Sequence, residues 1–293
     1  MNNYEQIAEK TFRFRQPTYR RDVFKEYPKV RLPIMTPRPD DLQPIPPSEE
    51  PLDILIPVGP GSLFENLELR MALRSIERHA KNYRRVVIVG IDPGFLAPSE
   101  KLLFVPREEA PGNHESRIAA KLHWALTSGH TSRYVVMWND DYVMTNDFDL
   151  RELPFYHKGD LPTLDRRKSI DRYRRALHVT AKHLSAAGRR TLNYDVHVPM
   201  LLNRECFDWL APWWKRSEET SCGMVVKSVY ANHVLSTTGT KIDDCKLKGY
   251  DPALHESKLS GRWMFSYGDH ALQSGLVKWL KNRYPQPSKF EKE

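Results

Sequence analysis

The stretch that decides the reading is Ser132 to Asp149, S-R-Y-V-V-M-W-N-D-D-Y-V-M-T-N-D-F-D. An apolar run, Tyr134 to Trp138, stops at Asn139-Asp140-Asp141. The run is short, rich in β-branched and aromatic residues, and lacks a helical period. It therefore reads as a strand buried on both faces. Two adjacent carboxylates at the end of a buried strand are costly unless something balances them. A divalent cation that also holds a phosphorylated ligand is one solution, because hard cations take carboxylate oxygens and leave positions for phosphates. A plain Asx turn at the end of the strand is the alternative.

Working outward, the preceding chain alternates strands and helices. Leu52 to Val58 is an apolar run that ends in Pro57-Val58-Gly59-Pro60-Gly61. Glu65 to Lys81 carries Leu67, Met71, Leu73, Ile76 and Ala80 at the spacing of an amphipathic helix. Val86 to Ile91 predicts a second strand, ending in Asp92-Pro93-Gly94, and Leu102 to Val105 a short third. Asn113 to Ser128 predicts a second helix with Ile118, Leu122, Ala125 and Leu126 on one face. Such alternation predicts an α/β fold, a mainly parallel sheet flanked by helices. Ligands of these sheets bind at the carboxyl ends of strands. Pro57 and Val58, Asp92, and Asn139-Asp140-Asp141 all fall there. Asn113 and Lys121 on the second helix, with Arg70 and Arg74 one turn apart on the first, complete the candidate nucleotide-binding set. Asp92 has a turn as its alternative role, and the two arginines have surface ion pairs as theirs.

After Asp149 the pattern changes. Arg166 to Arg190 is nearly single-signed, with Asp171 its only acid. It predicts a helix from about Ser169 to Ala187, stopped by Gly188, which either binds anions or forms a solvated face. Tyr194-Asp195-Val196-His197 reads as strand-like, and a period of two would put Asp195 and His197 on one face. A paired Asp and His suit a general base and its orienter, or a metal ligand. Arg204 to Trp214 predicts a helix, Gly223 to Leu235 is apolar and ambiguous, and Asp243-Asp244 reads as a solvated loop. Trp263 to Tyr267 predicts a late strand ending in Gly268-Asp269-His270. Asp269 or His270 would complete a metal shell or take an acceptor proton, with helix capping as the alternative for Asp269. Ala271 to Arg283 predicts a last helix, followed by a basic tail with two prolines.

Residues 1–50 are rich in proline and mixed charge, which disfavours helix and sheet interiors. They predict an extended arm that wraps the domain or a partner, docked through aromatics such as Phe12, Phe14, Tyr19, Phe24 and Tyr27, with a disordered leader as the alternative. The expected organisation is this arm, a nucleotide-sugar-binding half over 51–150 and an acceptor-binding half over 151–293. The 293 residues carry a net charge of +8 and a pI of about 9.3, which suits a phosphate-bearing partner. Cys206, Cys222 and Cys245 have no metal spacing and read as free thiols of a reducing compartment. No signal pattern and no apolar run of membrane-spanning length occur, so a cytoplasmic protein without a membrane partner is expected.

The strand ending in Asn-Asp-Asp resembles the acidic motif of GT-A glycosyltransferases. Asn66 to Arg78 followed by Val86-Val87-Ile88-Val89, Tyr134 to Asp141, His197-Val198-Pro199 and Ser266-Tyr267-Gly268-Asp269 are similar to segments of the Stealth sugar-phosphate transferases. The opening Ile56-Pro57-Val58-Gly59 departs from the Trp-Val-Asp of that family and looks more like a sugar-nucleotide transferase. In overall style the chain also resembles phage glycosyltransferases that decorate DNA bases. These resemblances imply a GT-A-like fold. They imply a Mn²⁺ or Mg²⁺ ion on Asp140 and Asp141, oriented by Asn139, and a nucleoside diphosphate sugar as donor. The implied acceptor hydroxyl lies on a hydroxymethylated pyrimidine of double-stranded DNA tracked by segment 166–190, or on a cell-surface glycan. Transfer of a sugar 1-phosphate and a non-catalytic nucleic-acid-binding role are the competing expectations.

Overall fold

The computed structural model describes residues 32–39, 42–60, 62–162, 171–252, 255, 259 and 261–292. The first half follows the expected alternation. Strand β1 (Leu52–Val58) leads to helix α1 (Leu67–His79), the short β2 (Ala80–Lys81), β3 (Val86–Gly90) and β4 (Leu102–Pro106). Helix α2 (His114–Thr127) then leads to β5 (Tyr134–Met137), β6 (Tyr142–Met144) and β7 (Phe148–Asp149). The second half holds β8 (Tyr156–His157), α3 (Arg172–Ala186), β9 (Met200–Asn203), α4 (Arg204–Trp209), α5 (Ala211–Glu218) and α6 (Val226–Val234). It closes with β10 (Thr240–Lys241), β11 (Lys246–Leu247), β12 (Met264–Tyr267) and a helical segment from Asp269 to Arg283.

The central sheet has the order β4-β3-β1-β5-β9. Its first four strands are parallel, and β9 is added antiparallel to β5 at the edge. Its alternating side chains separate two cores, as the pleat requires. Leu55, Val87, Val89, Val135 and Met137 face a layer built by α2, α3, α5 and α6. Ile54, Ile56, Val86, Ile88, Tyr134 and Val136 face the other side, with Leu69, Leu73 and Ile76 of α1. Each fully buried aliphatic side chain contributes roughly 1.5–3 kcal/mol, so the apolar runs hold the sheet in register. Gly90 permits the close β1–β3 approach at the carboxyl edge, since a Cβ there would lie 1.9 Å from the Val58 carbonyl oxygen.

From β1 the chain builds outward through β3 to β4, then returns to the other side of β1 for β5. The loops after β1 and β5 therefore diverge, which opens a crevice at the carboxyl edge. A second sheet, β11-β12-β6, stands beside that crevice, with β12 antiparallel to β6 and β11 parallel to β12.

Several sequence expectations are corrected. Gly223 to Leu235, ambiguous by pattern, contains the helix α6, every residue of which is buried. The expected single helix from Arg204 to Trp214 is two helices, α4 and α5, separated at Leu210. The last helix is interrupted at Gly275, whose φ is 107°. Tyr194 to Pro199 is irregular backbone rather than strand, because it carries a tight bend with His197 at φ 53°.

The described end of the proline-rich segment lies on the domain. Leu42 is buried, Trp209 Nε1 donates to Thr36 O at 3.1 Å, and Arg151 donates to Pro47 O and Glu50 O. Phe12, Phe14, Tyr19, Phe24 and Tyr27 lie outside the described residues, as do Arg166, Arg167 and Lys168. Cys206, Cys222 and Cys245 are free thiols. Among the described residues no helix is long and apolar enough to cross a membrane.

Candidate functional site

The turn Asn139–Tyr142 sits where the two loops diverge. It is closed by Tyr142 N–H donating to Asn139 O at 3.2 Å, and Trp138 Nε1 donates to Tyr142 O at 3.2 Å. The Trp138 ring is fully buried, so the turn is anchored in the core from below. Two lobes of one cleft meet at this turn, and Asn139, Asp140 and Asp141 line both.

The smaller lobe, of about 510 Å³, lies between the ends of β1 and β5. Pro57, Gly59, Glu68, Glu109, Arg117, Lys121 and Asp269 line it. Lys121 is buried and donates to Val58 O at 2.8 Å and to Glu109. Val58 thus takes part through its carbonyl, as a backbone anchor for Lys121. Asp269 opens the helical turn after β12 but does not cap it, since Gly268 holds the cap position and no side-chain cap bond is made.

Charge in this lobe is poorly balanced. Burial raises the Asp140 carboxyl to about 7, reinforced by the negative charges of Asp141 and Glu68. Burial likewise raises Glu68, helped by Asp269 and Asp141 and opposed by the Ser62 hydroxyl. Asp141 uses only one oxygen. Its Oδ2 accepts from Ser266 Oγ at 2.9 Å and lies 3.3 Å from Lys246 Nζ, whereas Oδ1 is buried with no hydrogen-bond partner. An unpartnered buried carboxylate oxygen beside a carboxyl reluctant to ionise is an arrangement that a bound cation would relieve. The residues present therefore fit a divalent ion. Among the described residues, however, no group of three or more His, Cys, Asp or Glu side chains is arranged to hold a metal. His270 is exposed, lies beside Gly249 and lines neither lobe, so it stands apart from the acidic pair.

The larger lobe, of about 1000 Å³, is walled by second-half residues. Asp195 and His197 both line it, although the strand expected to align them is absent. Their loop is held by polar side chains of α6. Asn232 bonds both the N–H and the C=O of Leu192, Ser228 Oγ accepts from Tyr194 N–H, and Lys227 Nζ donates to Val198 O at 2.6 Å. Cys245 N–H donates to Val196 O at 3.2 Å. The carbonyls on both sides of His197 are thus fixed, and this supports a left-handed conformation that costs roughly 1–2 kcal/mol for a residue with a Cβ.

His197 Nδ1 lies 2.7 Å from Asp244 Oδ1, and Lys158 Nζ lies 2.7 Å from the other Asp244 oxygen. Burial alone would raise the Asp244 carboxyl. The hydrogen bonds and charges of His197 and Lys158 outweigh it and hold the group well below the usual range. Asp244, expected in a solvated loop, is therefore the orienting partner of His197. The pairing crosses 47 residues, and no local spacing announces it.

Asp195 accepts from Tyr173 Oη at 2.6 Å. Burial opposes its ionisation, but Lys227, His197 and the Tyr173 bond overcome this and lower it. Lys227 also escaped the sequence reading. It is 2 % exposed, donates to Tyr142 Oη at 2.7 Å, and so links the acidic turn to the His197 loop. Burial lowers its ammonium, against the attraction of Asp195 and Asp141.

Besides His270, four candidates from the sequence are placed elsewhere. Arg70 and Arg74 do not reach the cleft; both pair with the buried Glu291 near the carboxyl end, at 3.1 and 2.8 Å. Asp92 closes a turn by accepting from Gly94 N–H at 2.8 Å, and lines neither lobe. Asn113 caps α2 through Ser116 N–H and donates to Ser217 O and Thr220 O, a clip between two helices. In the basic segment, Arg172 and Arg174 line the larger lobe, Arg175 is buried, and Arg190 donates to Leu235 O.

No protein-family model matches the chain, and no curated protein matches its sequence.

Proposed function

We propose that this chain is a metal-dependent glycosyltransferase. It moves a sugar from a nucleoside diphosphate sugar in the smaller lobe to a hydroxyl of an acceptor in the larger lobe. The observation that carries this reading is the Asn139–Asp141 turn, which forms the shared wall of both lobes at the point where the strand order reverses, between β1 and β5. A donor and an acceptor must meet at one atom, and a two-lobed cleft with its acidic pair at the junction suits that need. The sheet and its flanking helices accord with a GT-A-like architecture.

Asp140 and Asp141 Oδ1 would hold the cation. Two carboxylates suffice, because a magnesium-type ion takes its remaining ligands from water and phosphate oxygens. When bound, it supplies positive charge against the diphosphate leaving group. The chain's own residues do the rest. The bond between the sugar C1 and the diphosphate oxygen breaks, its electron pair staying on that oxygen. The acceptor oxygen bonds to C1 and loses its proton. His197 is the base best placed to take it. Its Nδ1 is committed to Asp244, which leaves Nε2 for the cleft. Asp195 is the weaker base, since its carboxyl is held low and is occupied by Tyr173. Asp269 lines the donor lobe instead.

Arg172 and Arg174 in the lining of the larger lobe favour an acceptor that carries phosphates, with DNA bearing a hydroxymethylated pyrimidine as the specific candidate. Duplex binding that weakens steeply with salt supports it, and salt-independent or absent binding sinks it.

The donor reading is tested by thermal unfolding against a panel of nucleoside diphosphates and nucleotide sugars, with and without Mn²⁺ or Mg²⁺. At a hundredfold excess over Kd, one of them should stabilise by about 2.7 kcal/mol, or roughly 4 °C for a chain of this size. The shift should need the metal and vanish in Asp141→Asn. A panel with no metal-dependent shift overturns the reading.

A further inference from the structure

Lys246 occupies a distinctive place. Among the described residues it is the one lysine or arginine that lines both lobes. Its main chain is fixed, because its N–H donates to Asp244 Oδ1 at 3.2 Å and its residue pairs with Ser266 across β11 and β12. Its side chain is 34 % exposed and ends 3.3 Å from Asp141 Oδ2, an oxygen already satisfied by Ser266. The ammonium is thus held at the lobe junction by one charge contact that Asp141 does not need. A flexible four-carbon stem on a fixed backbone can redirect that charge over a short distance.

We propose that Lys246 is the diphosphate-binding residue of the cleft, taking the phosphate nearer the transferred sugar and neutralising it as the leaving group departs. The inference rests on the glycosyltransferase reading above. A diphosphate that joins a nucleoside in one lobe to a sugar in the other must cross the junction. It brings two negative charges and gains a third as its bond to the sugar breaks. Two carboxylates already use the charge of a divalent ion, so the phosphates need a cation of the protein's own. The other cations nearby are engaged or off the path. Lys158 is held by Asp244, Lys121 by Val58 O and Glu109, and Lys227 by Tyr142 and Val198 O; Arg117 is drawn to Glu109, 3.9 Å away, and lines only the smaller lobe, while Arg172, Arg174 and Lys248 line only the larger one. A cation bound by Asp140 and Asp141 would also repel the ammonium from Asp141, which releases it toward the phosphates.

The test uses the full chain and three proteins, the parent, Lys246→Met and Lys246→Arg. Calorimetric titrations would use Mn²⁺ alone, then UDP, ADP, GDP and CDP in Mn²⁺, then the matching monophosphates. For the diphosphate that the parent binds, Lys246→Met should weaken affinity about tenfold or more, with less than about a threefold effect on the monophosphate. Lys246→Arg should recover most of the loss. Mn²⁺ alone should bind Lys246→Met more tightly than the parent, since no ammonium then shares Asp141. Opposite signs for metal and diphosphate separate a ligand role from damage to the fold, because a damaged site weakens both. Unchanged diphosphate affinity in Lys246→Met, or equal losses for mono- and diphosphate, overturns the proposal and leaves the donor reading standing. If the parent binds none of the diphosphates, the donor reading falls and takes this one with it.

Discussion

Lys227→Met tests the way the site is held together. The Lys227 ammonium is buried and donates to Tyr142 Oη at 2.7 Å and Val198 O at 2.6 Å, while its charge offsets that of Asp195. Methionine fills nearly the same space with an unbranched chain, so no large cavity opens. It leaves the Val198 carbonyl without its donor, which costs about 1–3 kcal/mol. It also removes a charge that helps keep Asp195 ionised; the two groups make no ion pair and Asp195 keeps its bond from Tyr173, so this adds about 1 kcal/mol. Two effects reduce the sum. Burial depresses the Lys227 ammonium, so its removal returns a desolvation cost, and Asp195 faces the cleft, where water can reach it. The expected net loss is about 2 kcal/mol at pH 7, or roughly 3 °C in Tm. Urea unfolding at 25 °C measures it. The sign with pH is fixed by Asp195. Its folded-state carboxyl is lowered, so its contribution is complete above its unfolded value near 4 and is lost as pH falls through the folded value. The deficit of Lys227→Met should therefore be full at pH 6–8 and shrink below pH 4. In a double-mutant cycle with Asp195→Asn, the pair should couple by about 1 kcal/mol or more. A deficit under about 0.5 kcal/mol, or full additivity with Asp195→Asn, would refute the reasoning.

Glu115 lines the larger lobe, and burial, with the Asp195 charge, raises its carboxyl to about 8 against the pull of Arg172. A raised carboxyl loses stability as pH climbs from the unfolded value of about 4.3 to about 8, so Glu115→Gln should gain up to about 5 kcal/mol by pH 8 and little at pH 4, read as Tm against pH. His197→Gln should lower kcat about 10²–10⁴-fold with little change in donor KM, and Asp244→Asn should act in the same direction by a smaller factor; an unchanged kcat would remove His197 from the role of base. Glu291→Gln should cost about 1–3 kcal/mol, because its carboxylate is 1 % exposed and holds Arg70, Arg74 and Ser288. Nucleotide affinity should survive that change, since none of these residues lines the cleft.

The first half of the fold was legible because its signals are local. Leu52–Val58, Val86–Gly90 and Tyr134–Met137 are buried on both faces and therefore read as unbroken apolar runs, while α1 and α2 show a helical stripe. The second half hides its elements for an equally physical reason. Helix α6 has no exposed face, so its residues carry no amphipathic period, and its polar side chains serve a loop rather than solvent. Arg70 and Arg74 illustrate the converse error. Their spacing correctly put them on one face of α1, but a spacing does not say what faces that side, and Glu291 lies 221 and 217 residues away.

The same division runs through the site. Asp140 and Asp141 could be read from a strand that stops in acids, since the cost of burying them is local. Asp244 could not, because an Asp-Asp pair in a polar loop looks the same whether it faces water or a histidine. What distinguishes it is His197, which sits in a conformation that only a closed loop sustains, with both flanking carbonyls fixed from other elements. Strain of this kind persists where the surroundings over-determine the backbone. The bend turns the ring toward Asp244 while Lys227 ties the same loop to Tyr142, the residue next to Asp141. The acidic turn and the His197 loop are therefore one mechanical unit. A substitution in α6 should then disturb metal-dependent nucleotide binding and proton transfer together, although α6 itself contributes only Val226 and Lys227 to the cleft wall.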